Sequence, residues 1–182
     1  AIRIARAACG KDKVAICGYH GWNDWYLAAN LNDNENLKNH LLPGLDSIGV
    51  PKSLAGTVYP FNYNDIQGLK EIISSNDIGI IKMEVARSVE PNEGFLEEVR
   101  KIATENNIIL IFDECTSGFR ETFGGLHKKY GVDPDMAIFG KAMGNGYALT
   151  ACIGRREVME SAQKTFISST FWTERIGPTA GL

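Results

Sequence analysis

Short apolar runs alternate with amphipathic stretches along this chain, a pattern typical of α/β proteins with a largely parallel sheet. The apolar runs predict strands over residues 14–17, 56–61, 78–85, 108–112, 136–139 and 148–153. Helical spacing of apolar side chains predicts helices over residues 1–9, 66–74, 91–106 and 156–163. Residues 22–50 read as irregular structure, with a turn at Pro43-Gly44. The expected fold class is therefore α/β, with a mostly parallel sheet flanked by helices.

Composition and charge exclude several classes of partner. The 182 residues are 44% hydrophobic and 23% charged, which suits one sizeable core. A net charge of −3 provides no basic field, so we expect no nucleic-acid partner. Nothing reads as a membrane span or a secretion signal, and we expect a cytoplasmic protein without membrane association. The four cysteines form no C-x-x-C pair and have no histidine at metal-ligand spacing, so we expect reduced thiols and no metal site.

Two side chains that follow predicted strands suggest chemistry. Asp113 comes directly after residues 108–112, and Lys141 follows residues 136–139 in a glycine-rich setting that predicts a partly desolvated amine. Ligands of open α/β sheets collect at the carboxyl ends of strands. A lysine can form a Schiff base with an aldehyde cofactor, and a carboxylate can keep a pyridine nitrogen protonated, as pyridoxal 5′-phosphate (PLP) chemistry requires. Taken singly, an Asp that caps a loop and a Lys on the surface are the ordinary alternatives.

Two further segments could complete such a site. Tyr19 and His20 directly follow the first predicted strand, where an aromatic ring could lie flat on a pyridine ring or simply pack in the core. The hydroxyl run from Ser168 to Thr170 could bind phosphate, or it could be a capped turn.

Taken together and in this order, these features resemble the class III aminotransferases of the fold-type-I PLP enzymes, and among them the glutamate-1-semialdehyde 2,1-aminomutase-like branch. The matching segments are Ala1 to Ala8, Gly18-Tyr19-His20-Gly21, Ile111 to Arg120, Phe139-Gly140-Lys141, Gly154 to Met159, and Ser169-Thr170. They extend over essentially the whole chain, and the Asp113-Glu114 pair with the downstream Lys141 is highly specific.

The resemblance implies a role for each matched residue. Lys141 would form the Schiff base and move the substrate proton, and Asp113 would bind the pyridine nitrogen. Tyr19 would stack on one face of the ring, and Thr116 would approach the ring hydroxyl. The cofactor-binding set that the resemblance implies is Asp113, Tyr19, His20, Cys115, Thr116, Glu84 and Thr170. Thr170 would reach the phosphate bound by a neighbouring subunit, which implies a homodimer with shared active sites.

The chain also departs from the family pattern. Cys115 stands where the family usually has Val, and Glu84 is followed by Val85 in place of the family's proline. Arg87 and Arg120 could clamp a substrate carboxylate or could be surface arginines. The family's phosphate-binding loop, N-terminal segment and C-terminal small domain have no counterpart here. We therefore expect residues 1–182 to be part of a large cofactor-binding domain.

The expected activity is PLP-dependent transfer of an amino group between small amino and keto substrates. Whether the enzyme is an aminotransferase or an aminomutase stays open at this point. A second hypothesis is a non-catalytic fragment or subunit that retains the fold. A nucleotide-binding domain is disfavoured, because no predicted strand is followed by a G-x-G-x-x-G or Walker pattern.

Overall fold

The computed structural model describes residues 1–40 and 44–182 and contains a single six-stranded sheet. Its strands are β1 (Lys13–Cys17), β2 (Val58–Pro60), β3 (Ile78–Glu84), β4 (Ile109–Glu114), β5 (Met136–Phe139) and β6 (Ala151–Gly154). Their order in the sheet is β2-β1-β3-β4-β5-β6, and every neighbouring pair is parallel except β5 with β6. The predicted α/β class with a mostly parallel sheet is confirmed.

Helices cover both faces of this sheet. They are α1 (Ile2–Cys9), α2 (Asp24–Leu27), α3 (Ile66–Ser75), α4 (Phe95–Glu105), α5 (His127–Tyr130), α6 (Arg156–Met159) and α7 (Ile176–Gly181). Short 3₁₀ segments lie at Ala28–Asn30, Lys52–Leu54, Lys141–Met143 and Glu160–Lys164. None of the helices described combines the length and the apolar character that crossing a membrane requires. The sequence predicted α1, α3, α4 and α6 but missed α2, α5 and α7.

Several element boundaries differ from those predicted. The fourth helix begins at Phe95 and not near Pro91, because Gly94 before it adopts a φ of 78°, which lies outside the helical region. The third helix begins as predicted after Asp65, whose side chain accepts a hydrogen bond from the Gly68 amide at 2.9 Å.

Other differences affect the strands and loops. The second and sixth strands are shorter than predicted. The fourth strand ends two residues later than predicted, so Asp113 is its penultimate residue. Residues 22–50 are not wholly irregular, since they contain α2. Pro43 of the predicted Pro43-Gly44 turn lies outside the described residues.

Side-chain alternation along the strands divides the apolar core between the two faces of the sheet. Leu110 and Phe112 pack with the residues of α3 and α4 on one face. Ile109 and Ile111 pack with the residues of α1, α2 and α6 on the other. All four are buried, as expected for a strand in the middle of a parallel sheet.

The same alternation decides where the polar residues point. Asp113 follows Ile111 by two positions and therefore shares the face covered by α1 and α2, while Glu114 lies on the opposite face. Lys82 and Glu84 of β3 fall on the same face as Asp113, since Ile80 packs there. The register aligns Glu84 with Asp113, so two carboxylates lie at the carboxyl end of neighbouring strands.

A buried aspartate, Asp135, joins β5 to its neighbours. Its carboxylate accepts the Leu110 amide at 2.8 Å and pairs with Arg100 of α4 at 2.8 Å and with Arg155 at 3.3 Å. Its own amide donates to the Leu110 carbonyl at 2.9 Å. Asp135 directly precedes β5 and therefore fixes the start of that strand against β4.

Replacing this aspartate should destabilise the protein. Asp135→Ala leaves the Leu110 amide and the Arg100 guanidinium without their carboxylate, so the free energy of unfolding should fall by about 2 to 4 kcal/mol. Asp133→Ala, two positions earlier and exposed, is the matched control and should change it by less than about 0.5 kcal/mol. Chemical denaturation followed by circular dichroism measures both, and equal effects would contradict the role assigned to Asp135.

Candidate active site

The carboxyl ends of β3, β4 and β5 bring the predicted catalytic residues to one edge of the sheet. Glu84, Asp113 and Ile138 lie side by side in the register of these three strands. Lys141 begins the 3₁₀ turn two residues after β5 ends. The two strands are neighbours as expected, and Lys141 follows β5, whereas Asp113 is the penultimate residue of β4.

Asp113 is buried and engaged on both carboxylate oxygens. Its Oδ2 lies 2.9 Å from Nδ1 of His20 and 2.8 Å from Nζ of Lys82. Its Oδ1 accepts the backbone amide of Cys115 at 3.2 Å. Residues from the loop after β1, from β3 and from β4 therefore converge on one carboxylate, which fixes its orientation.

Burial, hydrogen bonds and neighbouring charges set the protonation states in this cluster. Burial alone would raise the pKa of Asp113, but the hydrogen bond from His20 and the charge of Lys82 outweigh it and hold that pKa well below the usual range. Burial and the nearby Lys82 ammonium lower the pKa of His20 to about 4. At neutral pH, Asp113 is thus ionised, and the neutral His20 ring donates to it through Nδ1–H.

His20 is fixed by aromatic neighbours as well as by this hydrogen bond. Its ring stacks on Trp25 at 6.3 Å between centroids and meets the edge of Tyr26 at 5.6 Å. Its Nε2 is buried without a hydrogen-bond partner among the described residues. His20 therefore orients Asp113 from within the protein and is not exposed to a ligand on the open side.

Lys82 is the functional residue that sequence reasoning missed. It lies in the middle of the apolar run from Ile78 to Val85, which was interpreted only as a buried strand. A lysine inside such a run is a usable signal, because a buried ammonium requires a carboxylate partner. The only strand-end aspartate that follows a comparable apolar run is Asp113, so the pair could have been inferred.

Lys141 is held at the open edge by one neighbour. Its Nζ donates to Oγ1 of Thr116 at 2.8 Å, and its backbone adopts a φ of 46°, a left-handed conformation that is uncommon for a lysine. Lys141 is exposed in the residues described, so a partly desolvated amine stays a prediction for the whole protein. The 3₁₀ turn that carries Lys141 begins two residues after β5 ends.

Glu84 contacts the backbone next to the predicted stacking residue. Its Oε2 accepts the Tyr19 amide at 3.1 Å, and its Oε1 pairs with Arg87 at 3.0 Å. Gly18 makes this approach possible, since a Cβ at that position would lie 2.6 Å from Oε2. Burial raises the pKa of Glu84 in spite of these partners. The structure thus places Glu84 where it orients Tyr19.

The ring of Tyr19 is half-buried at the same edge. It meets Tyr26 edge-on at 6.0 Å, and the Arg87 guanidinium lies 5.9 Å from its centroid. Arg87 is therefore engaged by Glu84 and Tyr19. Arg120, the other candidate clamp for a substrate carboxylate, is exposed and donates through Nε to the Thr116 carbonyl.

Cys115 connects the Asp113 segment to the lysine segment. A Cβ placed on Gly140 would lie 3.4 Å from its Sγ, so the two segments touch. Burial, together with the charge of Asp113, raises the pKa of the Cys115 thiol to about 11. Because the thiol is neutral at physiological pH, Cys115 behaves as the small, nearly apolar side chain that its position suggests.

Thr170 makes none of these contacts. It is exposed, and no hydrogen bond found in the described part of the chain joins it to Asp113, Lys141 or Thr116. Seven of the eight predicted residues thus fall into three groups of contacts, which are Asp113 with His20 and Cys115, Lys141 with Thr116, and Glu84 with Tyr19. Thr170 belongs to none of these groups.

The opposite face of β4 carries a second buried carboxylate, Glu114, to which the sequence analysis assigned no role. Glu114 accepts the amide of His127 at 3.0 Å and its Nδ1 at 2.8 Å, and it also pairs with Ser117. Burial acts against these hydrogen bonds, which nevertheless lower the pKa of Glu114. These hydrogen bonds join Ser117, in the loop after β4, and His127 of α5 to Glu114. They therefore help to hold the loop that also carries Thr116.

The donor set fits PLP. A carboxylate offers about four acceptor positions, and His20, Lys82 and Cys115 fill three on Asp113, which leaves one on Oδ1 for the N–H of a pyridine ring. The Lys141 amine is bound only to a neutral hydroxyl, which it can leave to react with an aldehyde. An ionised carboxylate and an available amine on adjoining segments are the two groups that this cofactor requires.

Comparison with known proteins identifies the family. The model of the family Aminotransferase class-III matches residues 17–179. The chain is 41% identical, over its whole length, to 42% of a 3-aminobutyryl-CoA aminotransferase from Cloacimonas acidaminovorans. It is 40% identical, over 88% of its length, to 38% of a glutamate-1-semialdehyde 2,1-aminomutase from Methanobrevibacter smithii.

Solved structures share the same fold. An omega-transaminase from Sphaerobacter thermophilus superposes with a TM-score of 0.82 at 25% identity, over 99% of this chain and 44% of its own. A glutamate-1-semialdehyde aminomutase from Pseudomonas aeruginosa, in complex with PMP, gives a TM-score of 0.75 at 19% identity, over 99% and 43%. The chain thus spans less than half the length of the relatives it matches. With a family match that extends from Cys17 to Thr179, the chain belongs to the class III aminotransferases.

Proposed function

We propose that the protein containing this chain catalyses PLP-dependent transfer of an amino group between small amino and keto substrates. The observation that carries the proposal is the ionised, buried Asp113 at the end of β4, beside the available amine of Lys141 after β5. Membership of the class III aminotransferases supports the same reaction.

The cofactor, when bound, supplies an aldehyde and an electron-withdrawing ring, and the chain's own residues do the rest. Asp113 would bind the ring nitrogen and favour its protonated form. Lys141 would hold the aldehyde carbon and would carry a proton to and from the substrate carbon. Thr116 holds the free amine in reach, and Tyr19, oriented by Glu84, covers the ring.

The relatives support one type of reaction, but they do not agree on one substrate. Relatives at similar identity are an aminotransferase in one case and an aminomutase in the other, so amino-group transfer is the shared reaction. The two outcomes differ in whether the amine returns to the same molecule. Assaying keto-acid release and amine migration with the same preparation separates them.

We propose further that residues 1–182 form part of the cofactor-binding large domain of a longer, homodimeric protein. The proposal of a longer protein is supported by the coverage, since the chain matches less than half of each relative. The proposal of a homodimer is supported by an apolar surface, because large hydrophobic side chains are exposed near Thr170. They are Phe166, Phe171, Trp172 and Ile176, exposed by 82%, 55%, 67% and 64%. In this dimer Thr170 would bind the phosphate in the partner's site.

A cytoplasmic location is part of the proposal. Its support is that all four cysteines, Cys9, Cys17, Cys115 and Cys152, are free thiols. Such usage suits a reducing compartment.

Removing the lysine tests the proposed function directly. Full-length protein incubated with PLP should develop a visible absorption band, and Lys141→Ala should abolish it because the variant lacks the amine proposed to bind the aldehyde. The rate of amine transfer should fall by about 100-fold to 10,000-fold. Lys52→Ala, an exposed lysine far along the chain, is the control. A full band in the Lys141→Ala protein would refute the proposal.

The role of the carboxylate predicts a different defect. Asp113→Asn keeps the shape of the side chain but removes the charge that stabilises a protonated ring nitrogen. The dissociation constant of PLP should rise by about tenfold to a hundredfold, as measured by quenching of tryptophan fluorescence. Asp133→Asn is the matched exposed control, and an unchanged constant in the Asp113 variant would contradict the assignment.

Shared active sites predict complementation between two inactive variants. Lys141→Ala lacks the amine of its own site, and Thr170→Ala lacks the phosphate contact that it gives to its partner. After mixing by unfolding and refolding, half of the dimers carry one intact site, so roughly a quarter of wild-type activity should return. Activity that equals the mean of the separate variants would argue for independent sites.

A further inference from the structure

Lys82 is a charged residue in the centre of the sheet that the proposed mechanism does not use. It belongs to β3 and pairs in register with Ile111 of β4 and Ile16 of β1. Its side chain is 6% exposed. A buried ammonium in such a position is costly unless a carboxylate compensates it.

Two groups hold the ammonium. Nζ of Lys82 lies 2.8 Å from Oδ2 of Asp113 and 5.2 Å from the centre of the Trp25 ring. Within the described residues, Asp113 is the only carboxylate that lies within 4.0 Å of this nitrogen. Lys82 and Asp113 therefore form a buried ion pair, and a cation–π contact with the Trp25 ring also stabilises the Lys82 ammonium.

This pairing changes the charge balance of the cofactor site. His20 is neutral, so Asp113 carries one negative charge and Lys82 one positive charge. A protonated pyridine nitrogen that binds Asp113 would bring a second positive charge to the same carboxylate. Like charges that share one counter-ion disfavour each other's protonated state.

We propose that Lys82 is a positioning residue that saturates Oδ2 of Asp113, confines the ring nitrogen to Oδ1, and weakens the hold of that nitrogen on its proton. The inference rests on the proposed function, because it concerns the same carboxylate and the same cofactor. Its consequence is a ring that withdraws electrons less strongly than one bound to an aspartate without a competing cation. Such a ring limits how far negative charge is drawn away from the substrate carbon.

Other titratable groups surround the Lys82–Asp113 pair, and the Lys82 variants described below leave all of them unchanged. Glu84 is on the same strand as Lys82, and the charge of Asp113 contributes to its raised pKa. The Lys82 charge acts on Cys115, which directly follows β4, and on Cys152 of β6, and the charge of Lys141 also acts on Cys115. His20 is the only histidine in direct contact with Asp113 among the described residues.

The test reads the protonation state of the ring nitrogen itself. Full-length wild type, Lys82→Met and Lys82→Arg are loaded with PLP labelled with ¹⁵N in the ring, and the ¹⁵N chemical shift is followed against pH. In Lys82→Met the midpoint should move to higher pH by about one pH unit, a tenfold gain in proton affinity. Lys82→Arg keeps the charge and should titrate near wild type.

Each outcome decides between distinct claims. If wild type binds no PLP, the proposed function fails. If all three proteins bind PLP and titrate alike, the inference about Lys82 fails and the proposed function stands. A merely structural lysine would weaken PLP binding in the Met variant without moving the midpoint. Should Lys82→Met not fold, as judged by circular dichroism, Lys82→Gln replaces it and must show the same displacement, or the inference is wrong.

Discussion

The whole account depends on one buried carboxylate that stays ionised. Asp113 lies at the end of a strand with an apolar core on either side, where burial by itself would neutralise it. Lys82, His20 and the Cys115 amide supply the charge and the hydrogen bonds that prevent this. Because these partners come from different elements, the arrangement that keeps the buried Asp113 ionised exists only when the sheet has formed. Folding therefore assembles the buried, ionised carboxylate that we propose for the ring nitrogen.

The two faces of β4 carry carboxylates with different contacts. Asp113 points towards the helices α1 and α2 and the open edge, while Glu114, one residue later, points into the opposite layer and binds His127. This second pair places the loop that carries Thr116, and Thr116 in turn holds Lys141. The alternation of side chains along the pleat thus couples the Glu114–His127 hydrogen bond to the position of Lys141.

The sequence predicted the sheet and the central pair of residues well, because both depend on local patterns. Apolar runs identified the six strands, and the positions of Asp113 and Lys141 directly after two of them were enough to place both at one edge. Side-chain contacts between distant elements were harder. The Lys82–Asp113 pair joins residues of two strands, and it was hidden by the apolar character of the run around Lys82. The start of α4 was missed because only Gly94 and its positive φ stop the helix. The exposure of Lys141 in the residues described was not predicted either, since the glycines around it indicate close approach but say nothing about which helices cover the turn.

The most direct test of the central claim is a crystal structure of the full-length protein grown with PLP. The account predicts continuous electron density from Nζ of Lys141 to the cofactor and a pyridine nitrogen within hydrogen-bond distance of Oδ1 of Asp113, with Lys82 still on Oδ2. Density for PLP at another place, or a ring whose nitrogen faces away from Asp113, would contradict it.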